Sequence, residues 1–578
     1  MGEFLSVSRL TELVVLSLVL CASLIFVQLA NAQPVQTGFL SIDCGTDTSY
    51  IDPVTTIQWQ PDTNFISTGY TAAPVQSLTD NLTDMFSEFR TLRFFNDSSY
   101  PKYCYSLPVT ENTSYSLRAT FFYGDSNAAG PDPPSFRLAL DATIMVNVTT
   151  DRDFAYYYEF TYLSRGNITY LCLLRDETRH NPFISAISLR PAVMYRRFDG
   201  YFADNKYIRT RARYNFGGAD RVRFPTDVHD RYWNPIGPNS TQLRNNTTPI
   251  QILSTTTKLD LSDYGTIVPE VVLQTAVTAQ GNMTIQLTNY ESPYSYLILH
   301  FAELDNHTSN VSRKFMVEVP DVSTDSYVNP WNYSLEPFKP MFWYFWGVSL
   351  TSDSDKITFY PRPRSRLGPL LNAMEIYTVV DIAAYTTSAQ DAQAIEAIKK
   401  SMNLTEWTGD PCLPVPHSWV TCNLPGPMLQ LPRVDQLSLS GYNLQGTIPA
   451  SSFALLDVSS LSLDNNAFTG TFPDVSSMTT LQQLHLHNNQ LSGPLPDWLA
   501  NMTSLQELSI QNNNFSGTIP PQLLARNALN FTYRPGNPWL IGPDSTSNNT
   551  VGSTGTKPVV RTAYMFATVT TILSTLYM

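Results

Sequence analysis

The chain contains 578 residues and carries a formal net charge of −13 at pH 7, with 43% hydrophobic and 15% charged residues. This acidic balance argues against nucleic-acid binding, which needs a basic face. The length is sufficient for several domains, each with a core of its own.

Residues 1–32 are predicted to be a secretory signal peptide. Arg9 precedes an apolar run from Leu13 to about Ala30, and residues 30–32 form a small-residue cleavage pattern. A retained membrane helix is the alternative. We therefore expect the chain to enter the secretory pathway.

Glycosylation sequons are dense along the rest of the chain, as expected for an exported glycoprotein. We expect any binding site to lie where sequons are absent, because glycans would screen the other faces. The predicted sites are Asn81, Asn96, Asn112, Asn147, Asn167, Asn239, Asn245, Asn246, Asn282, Asn306, Asn310, Asn332, Asn403, Asn501, Asn514, Asn530 and Asn548.

Five cysteines remain once Cys21 leaves with the signal peptide, and export favours their oxidation. Cys412 and Cys422 are close in sequence and are predicted to pair. Cys104 and Cys172 lie in strand-like runs and form the second predicted pair. Cys44 is left over, and either a buried free thiol or an intermolecular bridge would account for it.

Residues 37–380 are predicted to form two antiparallel β-sandwiches, at 37–195 and 196–380. Short aromatic and β-branched runs recur with frequent turn residues and no intervening helical period. The segment Ile42-Asp-Cys-Gly45 is echoed by Tyr214-Asn-Phe-Gly-Gly218, and each half ends in a proline-containing turn that leads into an apolar strand. The predicted seam is near residues 190–207.

The period changes after residue 388, where Ala392, Ile395, Ile398 and Met402 recur at helical spacing. A Gly-Asp-Pro-Cys element ending at Cys412 follows this helix. Residues 388–425 are therefore predicted to cap the repeats that come next, because a terminal repeat exposes its core unless it is covered.

Four leucine-rich repeats are predicted at 434–528, starting at Val434, Val458, Leu481 and Leu505. A fixed period of about 24 residues indicates a solenoid, a surface suited to binding and not to chemistry. Asn466, Asn489 and Asn513 are expected to point inward and bond the turning backbone. Tyr442 takes that position in the first repeat.

The C-terminal part is predicted to be a spacer at 529–556, followed by an apolar lipid-anchor signal at 559–578. Within the spacer, Phe531–Ile541 is a candidate C-terminal cap of the solenoid. Ser553 is the predicted attachment residue, with Gly552 and Asn549 as alternatives. A membrane helix or an uncleaved apolar end is the other interpretation. The anchor would place the protein on the outer face of the plasma membrane.

The order of these segments resembles the ectodomain of plant malectin-like/leucine-rich-repeat receptor kinases, the group that includes the symbiosis receptor kinase. The similarity rests on the paired sandwich endings, on Leu299-His-Phe-Ala-Glu303 and on the Gly-Asp-Pro-Cys element, and it covers residues 37 to about 525. It implies a mainly β fold, with two tandem malectin-like β-sandwiches followed by a short leucine-rich-repeat α/β solenoid. No glycine-rich loop or His-Arg-Asp segment of a kinase is present in the sequence.

The solenoid offers one candidate binding surface. Alternation with the core leucines places Ser438, Ser462, His485 and Ser509 in one concave column, and Ser440, Asp464, His487 and Gln511 in the next. The surface would contact a peptide or a partner domain, and the histidines would make that contact sensitive to pH. A zinc site at His485, His487 and Asp464 is a weaker hypothesis, because closed sites need four ligands. A solvated face is the plain alternative.

The sandwiches offer candidates for carbohydrate binding, because aromatic faces beside carboxylates suit sugar rings. They are Tyr50, Trp59, Tyr70, Tyr123 and Asp125, of which only Tyr123 lies near a loop matching that of animal malectin. Core packing is the alternative for each aromatic residue. The run Met341–Trp346 is either covered on both faces or an exposed docking patch.

The basic stretch Arg209-Thr-Arg-Ala-Arg213, preceded by Arg196 and Arg197, lies at the predicted seam. It would either meet an acidic polysaccharide such as pectin or form salt bridges between the lobes, with Asp199, Asp204 and Asp220 as nearby acids.

The sequence carries no catalytic motif such as Gly-x-Ser-x-Gly or His-Glu-x-x-His, so we predict no enzyme activity, no cofactor and no metal. We expect a cell-surface receptor-like protein that binds a secreted peptide, a cell-wall carbohydrate or a receptor kinase ectodomain. The alternatives are a secreted decoy or inhibitor, and a cell-wall glycoside-active protein.

Overall fold

The structure is a computed structural model of the chain. It describes residues 36–73, 87–124, 133–175, 180–192, 206–243, 248–264, 268–287, 290, 292–306, 313–320, 335–352, 355–363, 365–382, 386–423 and 431–542. The predicted signal peptide, Ser553 and the apolar segment 559–578 lie outside these residues. So do Asn81, Asp125, Arg196, Arg197, Asn245, Asn246, Asn310, Asn332 and Asn548. Within the described ranges, no helix has the length and apolar character to cross a bilayer.

The fold is mainly β, as predicted. The first lobe, residues 36–192, has its own aromatic-rich core, which includes Leu117, Phe121 and Phe160. Its strands are β1 (Leu40–Asp43), β2 (Tyr50–Ile51), β3 (Gln58–Pro61), β4 (Tyr70–Ala72), β5 (Leu92–Phe94), β6 (Lys102–Pro108), β7 (Ser114–Phe121), β8 (Ser135–Leu140), β9 (Thr143–Thr149), β10 (Tyr156–Leu163), β11 (Ile168–Leu174), β12 (Phe183–Ile184) and β13 (Ala186–Pro191).

The second lobe, residues 206–382, has a separate core that includes Phe216, Leu297 and Ile376. Its helix α1 spans Glu270–Leu273. Its strands are β14 (Lys206–Phe216), β15 (Asn234–Ile236), β16 (Gln251–Ser254), β17 (Thr275–Thr278), β18 (Met283–Gln286), β19 (Ser292–Phe301), β20 (Phe315–Glu318), β21 (Met341–Leu350), β22 (Lys356–Pro361), β23 (Leu370–Leu371) and β24 (Ala373–Asp381).

The two lobes share one continuous sheet, which the sequence did not predict. Its order is β2-β3-β1-β13-β7-β10-β14-β24-β19-β21, with β15 paired to β14. The lobes join where β10 and β14 pair antiparallel, with Glu159 opposite Thr210 and Thr161 opposite Ile208. Each lobe therefore folds around its own core, but backbone hydrogen bonds run from one lobe into the other.

A β-bulge in β14 sets the directions of the basic stretch. The pairing with β24 shifts register between Thr210 and Ala212, so Thr210 and Arg213 both point toward Glu159. Arg213 lies 2.7 Å from Glu159 and 3.2 Å from Glu375. The predicted salt bridge between the lobes is present, but its acids are Glu159 and Glu375. Of the acids named from the sequence, Asp220 is exposed, and Asp199 and Asp204 lie outside the described residues.

The ion network continues across the first lobe. Arg118 Nη2 lies 3.0 Å from Glu159, and its Nη1 lies 3.3 Å from Asp230 of the second lobe. Arg190 Nη2 lies 2.9 Å from the same Asp230 carboxylate. The Tyr232 ring stacks 3.6 Å from the Arg118 guanidinium. All these ionic side chains are buried, so loss of a single partner would leave charges without compensation.

We predict that Glu159→Gln destabilises the protein by about 3–5 kcal/mol, because Arg118 and Arg213 would lose a shared buried carboxylate. Glu318→Gln, an exposed change on β20, is the control and should be nearly neutral. Urea unfolding at pH 7 measures both. A loss below about 1 kcal/mol in Glu159→Gln would contradict a structural role for the network.

The same network predicts a pH dependence. Burial alone would raise the pKa of Glu159. The charges of Arg213 and Arg118 outweigh this effect and lower the pKa from an ordinary 4.5 to about 2. This carboxylate therefore stabilises the fold fully above pH 4.5, and its contribution is lost as the pH falls from about 4.5 to about 2. The wild type should lose stability in this window more steeply than Glu159→Gln.

The solenoid follows the second lobe and begins with the predicted capping helix, α2 (Ala389–Met402). Ser388 caps it by accepting from the Asp391 N–H, and Asn403 ends it in the left-handed region. Asp391 in turn accepts from Arg433 at 2.7 and 2.9 Å, which ties the helix to the first repeat. The helix packs into the same core as the repeat leucines.

The repeats build a parallel ladder, β25-β26-β28-β30-β32-β34, in which only the β25–β26 pair is antiparallel. Helices α3 (Ala450–Phe453) and α4 (Pro521–Leu524) lie between strands. The strands are β25 (Val420–Asn423), β26 (Arg433–Ser438), β27 (Gln445–Thr447), β28 (Ser460–Ser462), β29 (Ala467–Thr469), β30 (Gln483–His485), β31 (Ser492–Pro494), β32 (Glu507–Ser509), β33 (Asn514–Thr518), β34 (Asn530–Thr532) and β35 (Trp539–Ile541).

The predicted boundary at residue 528 is wrong. Strand β34 pairs with β32, and β35 pairs with β33, so residues 530–541 form a further rung of the solenoid and not a spacer. The Asn537 amide donates to the carbonyl of Ile510 at 3.0 Å, as the repeat asparagines do in the earlier turns. The sequence offered this segment as a candidate cap and not as a repeat, because Phe531 and Tyr533 stand where the repeats carry leucine or isoleucine.

Both predicted disulfides are present, Cys104–Cys172 and Cys412–Cys422, and Cys44 is a buried free thiol. The Gly-Asp-Pro-Cys element packs directly on the first of these disulfides. Gly409 has φ +85°, and a Cβ there would come within 2.7 Å of Cys104 Sγ. Only glycine therefore permits this close approach.

Hydrogen bonds fix the same joint between the first lobe and the solenoid cap. Lys102 is buried and donates from Nζ to the carbonyl oxygens of Asp410 and Leu413. Thr408 donates to the carbonyl of Cys104 at 2.9 Å. The capping segment is thus docked on the first lobe by groups that are 300 or more residues apart in sequence.

Candidate functional site

The concave surface of the solenoid is formed by the columns that the sequence predicted. Residues 460–462, 483–485 and 507–509 lie side by side in parallel register, which aligns Ser462, His485 and Ser509. The His485 and His487 rings lie 6.2 Å apart, and each is about one quarter exposed. The surface is therefore polar, narrow and accessible.

Acidic residues flank the two histidines. His485 Nε2 lies 3.6 Å from Glu507, and His487 Nε2 lies 3.5 Å from Asp464. Asp464 is itself buried and accepts from Ser440 at 2.7 Å. Glu507 was not among the predicted residues, although it lies two positions before Ser509 and strand alternation alone places it on this face.

Three polar atoms on this surface have no hydrogen-bond partner. They are His485 Nε2, His487 Nδ1 and Gln511 Oε1. Buried polar atoms in native proteins are nearly always hydrogen-bonded, so these three atoms are exceptions within the described residues. Across the described part of the chain, no set of three or more His, Cys, Asp or Glu side chains is arranged to hold a metal ion.

The asparagines beneath this surface are structural, as predicted. Asn489 Nδ2 donates to the carbonyls of Leu463 and Leu486 at 3.0 and 3.1 Å, and its Oδ1 accepts from the Phe468 N–H. Asn466 and Asn513 make the equivalent bonds in their own turns. These amides fix the backbone that carries the histidines.

We predict that Asn489→Ala destabilises the protein by about 1–3 kcal/mol, because it leaves the buried Phe468 N–H unpaired. The carbonyls of Leu463 and Leu486 each lose one of two amide donors. Gln490→Ala, an exposed neighbour, is the matched control and should cost less than about 0.5 kcal/mol. Thermal unfolding followed by circular dichroism compares them. Equal stability of the two variants would contradict the structural role.

The predicted sugar-binding aromatics do not form a platform. Trp59 and Tyr123 are 1% and 2% exposed, so both rings belong to buried clusters and offer no face to a sugar. Tyr50 is half-buried and donates to Asp43 at 2.7 Å. Tyr70 alone is well exposed, and Asp125 lies outside the described residues. The structure does not support Trp59 and Tyr123 as ligand-binding residues, because the core needs their bulk.

The aromatic run in β21 has one covered face. Trp343 and Phe345 are buried in the second-lobe core, while Trp346 is 66% exposed. Phe342 and Tyr344 pack on a small cluster with Ile208 and Tyr296 on the opposite face. Alternation therefore accounts for most of the run, and Trp346 is its one strongly exposed ring.

Arg209 and Arg211 point away from the ion network and into a polar cleft between the lobes. The cleft has a volume of about 270 Å³ and is also lined by Tyr158, Tyr214 and Tyr290. Burial and the neighbouring Arg211 lower the pKa of Arg209 to about 10. The bulge in β14 thus divides the basic stretch between a salt bridge and an accessible cleft.

The predicted glycosylation sites that the structure describes all lie at the surface. The Asn side chains are exposed at 96, 112, 147, 167, 239, 282, 306, 403, 501, 514 and 530. No sequon falls in the two concave columns. Asn530 pairs with Glu507 in the next rung, so its exposed side chain lies on the same face at the edge of these columns. Glycan attachment stays a prediction, and a glycan on Asn530 would border this surface.

Comparison with known proteins agrees with this architecture. Residues 42–379 match the malectin-like domain, and residues 456–515 match a leucine-rich repeat. The first match covers more than half of the chain. The chain belongs to the malectin-like domain family.

Its curated relatives include receptor-like kinases of Arabidopsis thaliana. A probable leucine-rich-repeat receptor-like serine/threonine-protein kinase is 35% identical over 496 residues, covering 80% of this chain and 50% of that protein. A second such kinase is 31% identical over 449 residues, covering 75% and 49%. The chain thus spans about half the length of the curated relatives it matches.

Solved structures that resemble the chain include the ANX2 ectodomain from Arabidopsis thaliana. The TM-score is 0.46 at 16% sequence identity, and the match covers 59% of this chain and 96% of that chain.

Proposed function

We propose that this protein is a receptor-like ectodomain that binds an extracellular peptide or a partner receptor ectodomain through the concave face of its solenoid. The observation that carries the proposal is the group of unpaired polar atoms on His485, His487 and Gln511. A ligand that supplied hydrogen bonds to these atoms would recover the free energy that their burial costs. Kinship with receptor-like kinases supports the same role.

In this proposal the protein acts by occupancy and has no catalytic output of its own. A small number of central contacts would dominate the affinity, as in most protein interfaces.

The test is a binding screen of the glycosylated full-length protein against displayed plant receptor ectodomains and secreted peptides. The double variant His485→Ala/Gln511→Ala should bind its partner about 10- to 100-fold more weakly, since it loses two contacts that only the ligand satisfies. The control Gln445→Ala/Thr469→Ala changes exposed residues of the paired strands β27 and β29, outside the concave columns, and should bind normally. Unchanged affinity in the double variant would exclude the concave face.

We further propose that the protein is held at the outer face of the plasma membrane by a lipid on Ser553. The sequence pattern of small residues, spacer and apolar end supports this assignment. Phosphatidylinositol-specific phospholipase C should release the protein from intact cells, and Ser553→Trp together with Gly552→Trp should abolish the releasable pool. Protein found free in the medium before treatment would favour the secreted decoy.

A further inference from the structure

A cavity of about 450 Å³ lies at the joint between the first lobe and the solenoid cap. Its first-lobe wall includes Asp141, Ile168 and Tyr170, and its cap wall includes Ile395 of α2. Its volume is within the range of small-molecule and peptide side-chain pockets. We call it the joint pocket.

Two tryptophans of the cap line the joint pocket and stack on each other. The rings of Trp407 and Trp419 lie 3.7 Å apart at an interplanar angle of 7°, and each residue is 3% exposed. Neither indole Nε1 has a hydrogen-bond partner. Two buried N–H donors beside one cavity are costly unless an acceptor meets them.

The charges around the joint pocket nearly balance. Carboxylates are contributed by Asp141, Glu396 and Asp410, and cations by Arg165 and Lys399. Asp141 is already engaged, since it accepts from the Tyr170 N–H at 2.8 Å and from the Tyr207 hydroxyl at 3.3 Å. A lining of mixed sign with an apolar body favours a neutral ligand over a strongly charged one.

We propose that the joint pocket binds a short, neutral, apolar segment of an extracellular peptide. An apolar side chain would pack against Ile168 and Ile395, and backbone carbonyl oxygens would accept from the indole N–H groups of Trp407 and Trp419. A peptide places a carbonyl beside every apolar side chain, which a saccharide or an acyl chain does not. The proposal deepens the proposed function, on which it rests for the extracellular ligand, but it uses none of the concave residues.

The occupant would contact both modules at once. The walls belong mainly to the first lobe and to the cap, with Tyr207 and Ile382 of the second lobe at one side. The bonds of Lys102 and Thr408 already hold the first lobe and the cap together. A bound segment would therefore add contacts across the joint and slow its opening. The joint pocket thus offers a way for ligand binding to stabilise one arrangement of the lobes and the solenoid.

The experiment uses blocked amino acids as probes on the full-length glycoprotein carrying ¹⁵N-tryptophan. N-acetyl-leucine amide and N-acetyl-phenylalanine amide should bind in the millimolar range and shift two indole N–H resonances. Trp407→Phe assigns one of these resonances, and loss of its N–H should weaken binding severalfold. N-acetyl-serine amide should bind at least tenfold more weakly, because it has no apolar side chain.

Gly166→Trp provides the blocking variant. Gly166 lines the joint pocket, and a Cβ added there meets no atom within 4 Å, so a large side chain can be introduced at the pocket wall without a clash at Cβ. Gly237→Trp is the matched control, since it has the same open surroundings and lies outside the pocket. Both are compared in an Asn167→Gln background, because the Asn167 sequon adjoins Gly166.

The affinity for N-acetyl-leucine amide should fall at least tenfold in Gly166→Trp and stay unchanged in Gly237→Trp. Equal binding of leucine and serine amides, or full binding in Gly166→Trp, would overturn the proposal. Cellotriose is a fourth probe, and saturable binding of cellotriose in place of the leucine amide would also overturn the proposal. Probe binding should persist in His485→Ala/Gln511→Ala, which separates failure here from failure of the concave site.

Discussion

The carboxylate of Glu159 lies between two arginines, and the relation of the two lobes depends on this contact. Arg118 comes from the first lobe and Arg213 from the second, and both are buried with it. A buried ionic cluster adds little net stability compared with an apolar core, but it tolerates few alternative arrangements. The cluster and the shared sheet together fix how one lobe is oriented on the other. The shape of the polar cleft at Arg209 and Arg211 depends on that orientation, because residues of both lobes line it.

The joint between the first lobe and the solenoid relies on a different set of contacts. A buried lysine donates to two carbonyls, a glycine packs on a disulfide, and the cap helix shares its core with the repeats. Burial lowers the pKa of Lys102 to about 7, although Asp410 opposes this shift. The solenoid, with its concave face, is therefore docked on the first lobe.

Local patterns in the sequence predicted much of the fold, and contacts between distant segments account for what was missed. The 24-residue period fixed the core leucines and the inward asparagines, because each repeat must stack on its neighbour. The disulfides followed from sequence proximity and strand context. The pairing of β10 with β14 left no local signal, since an edge strand and a central strand can share one pattern. The bulge at Thr210–Ala212 likewise redirected Arg213 in a way that alternation alone cannot show.

The candidate sites also differ in whether a local pattern or a contact between distant segments forms them. The concave columns were predictable because position in the repeat determines direction, whereas Trp59 and Tyr123 were misjudged because an aromatic residue in a sandwich faces either way. The joint pocket was not predictable, because residues such as Ile168 and Trp419 meet only after three modules have folded. Its tryptophans are in the sequence, but nothing there indicates unpaired indole nitrogens.

The position of β24 makes the order of the modules in space differ from their order along the chain. This last strand of the second lobe pairs with β14, beside the first lobe, so the polypeptide returns to where it crossed over before it enters the solenoid. The first lobe thus contacts both the second lobe and the solenoid cap, although the second lobe lies between them along the chain. Removing the first lobe would therefore take away the surface on which both the second lobe and the solenoid cap are held.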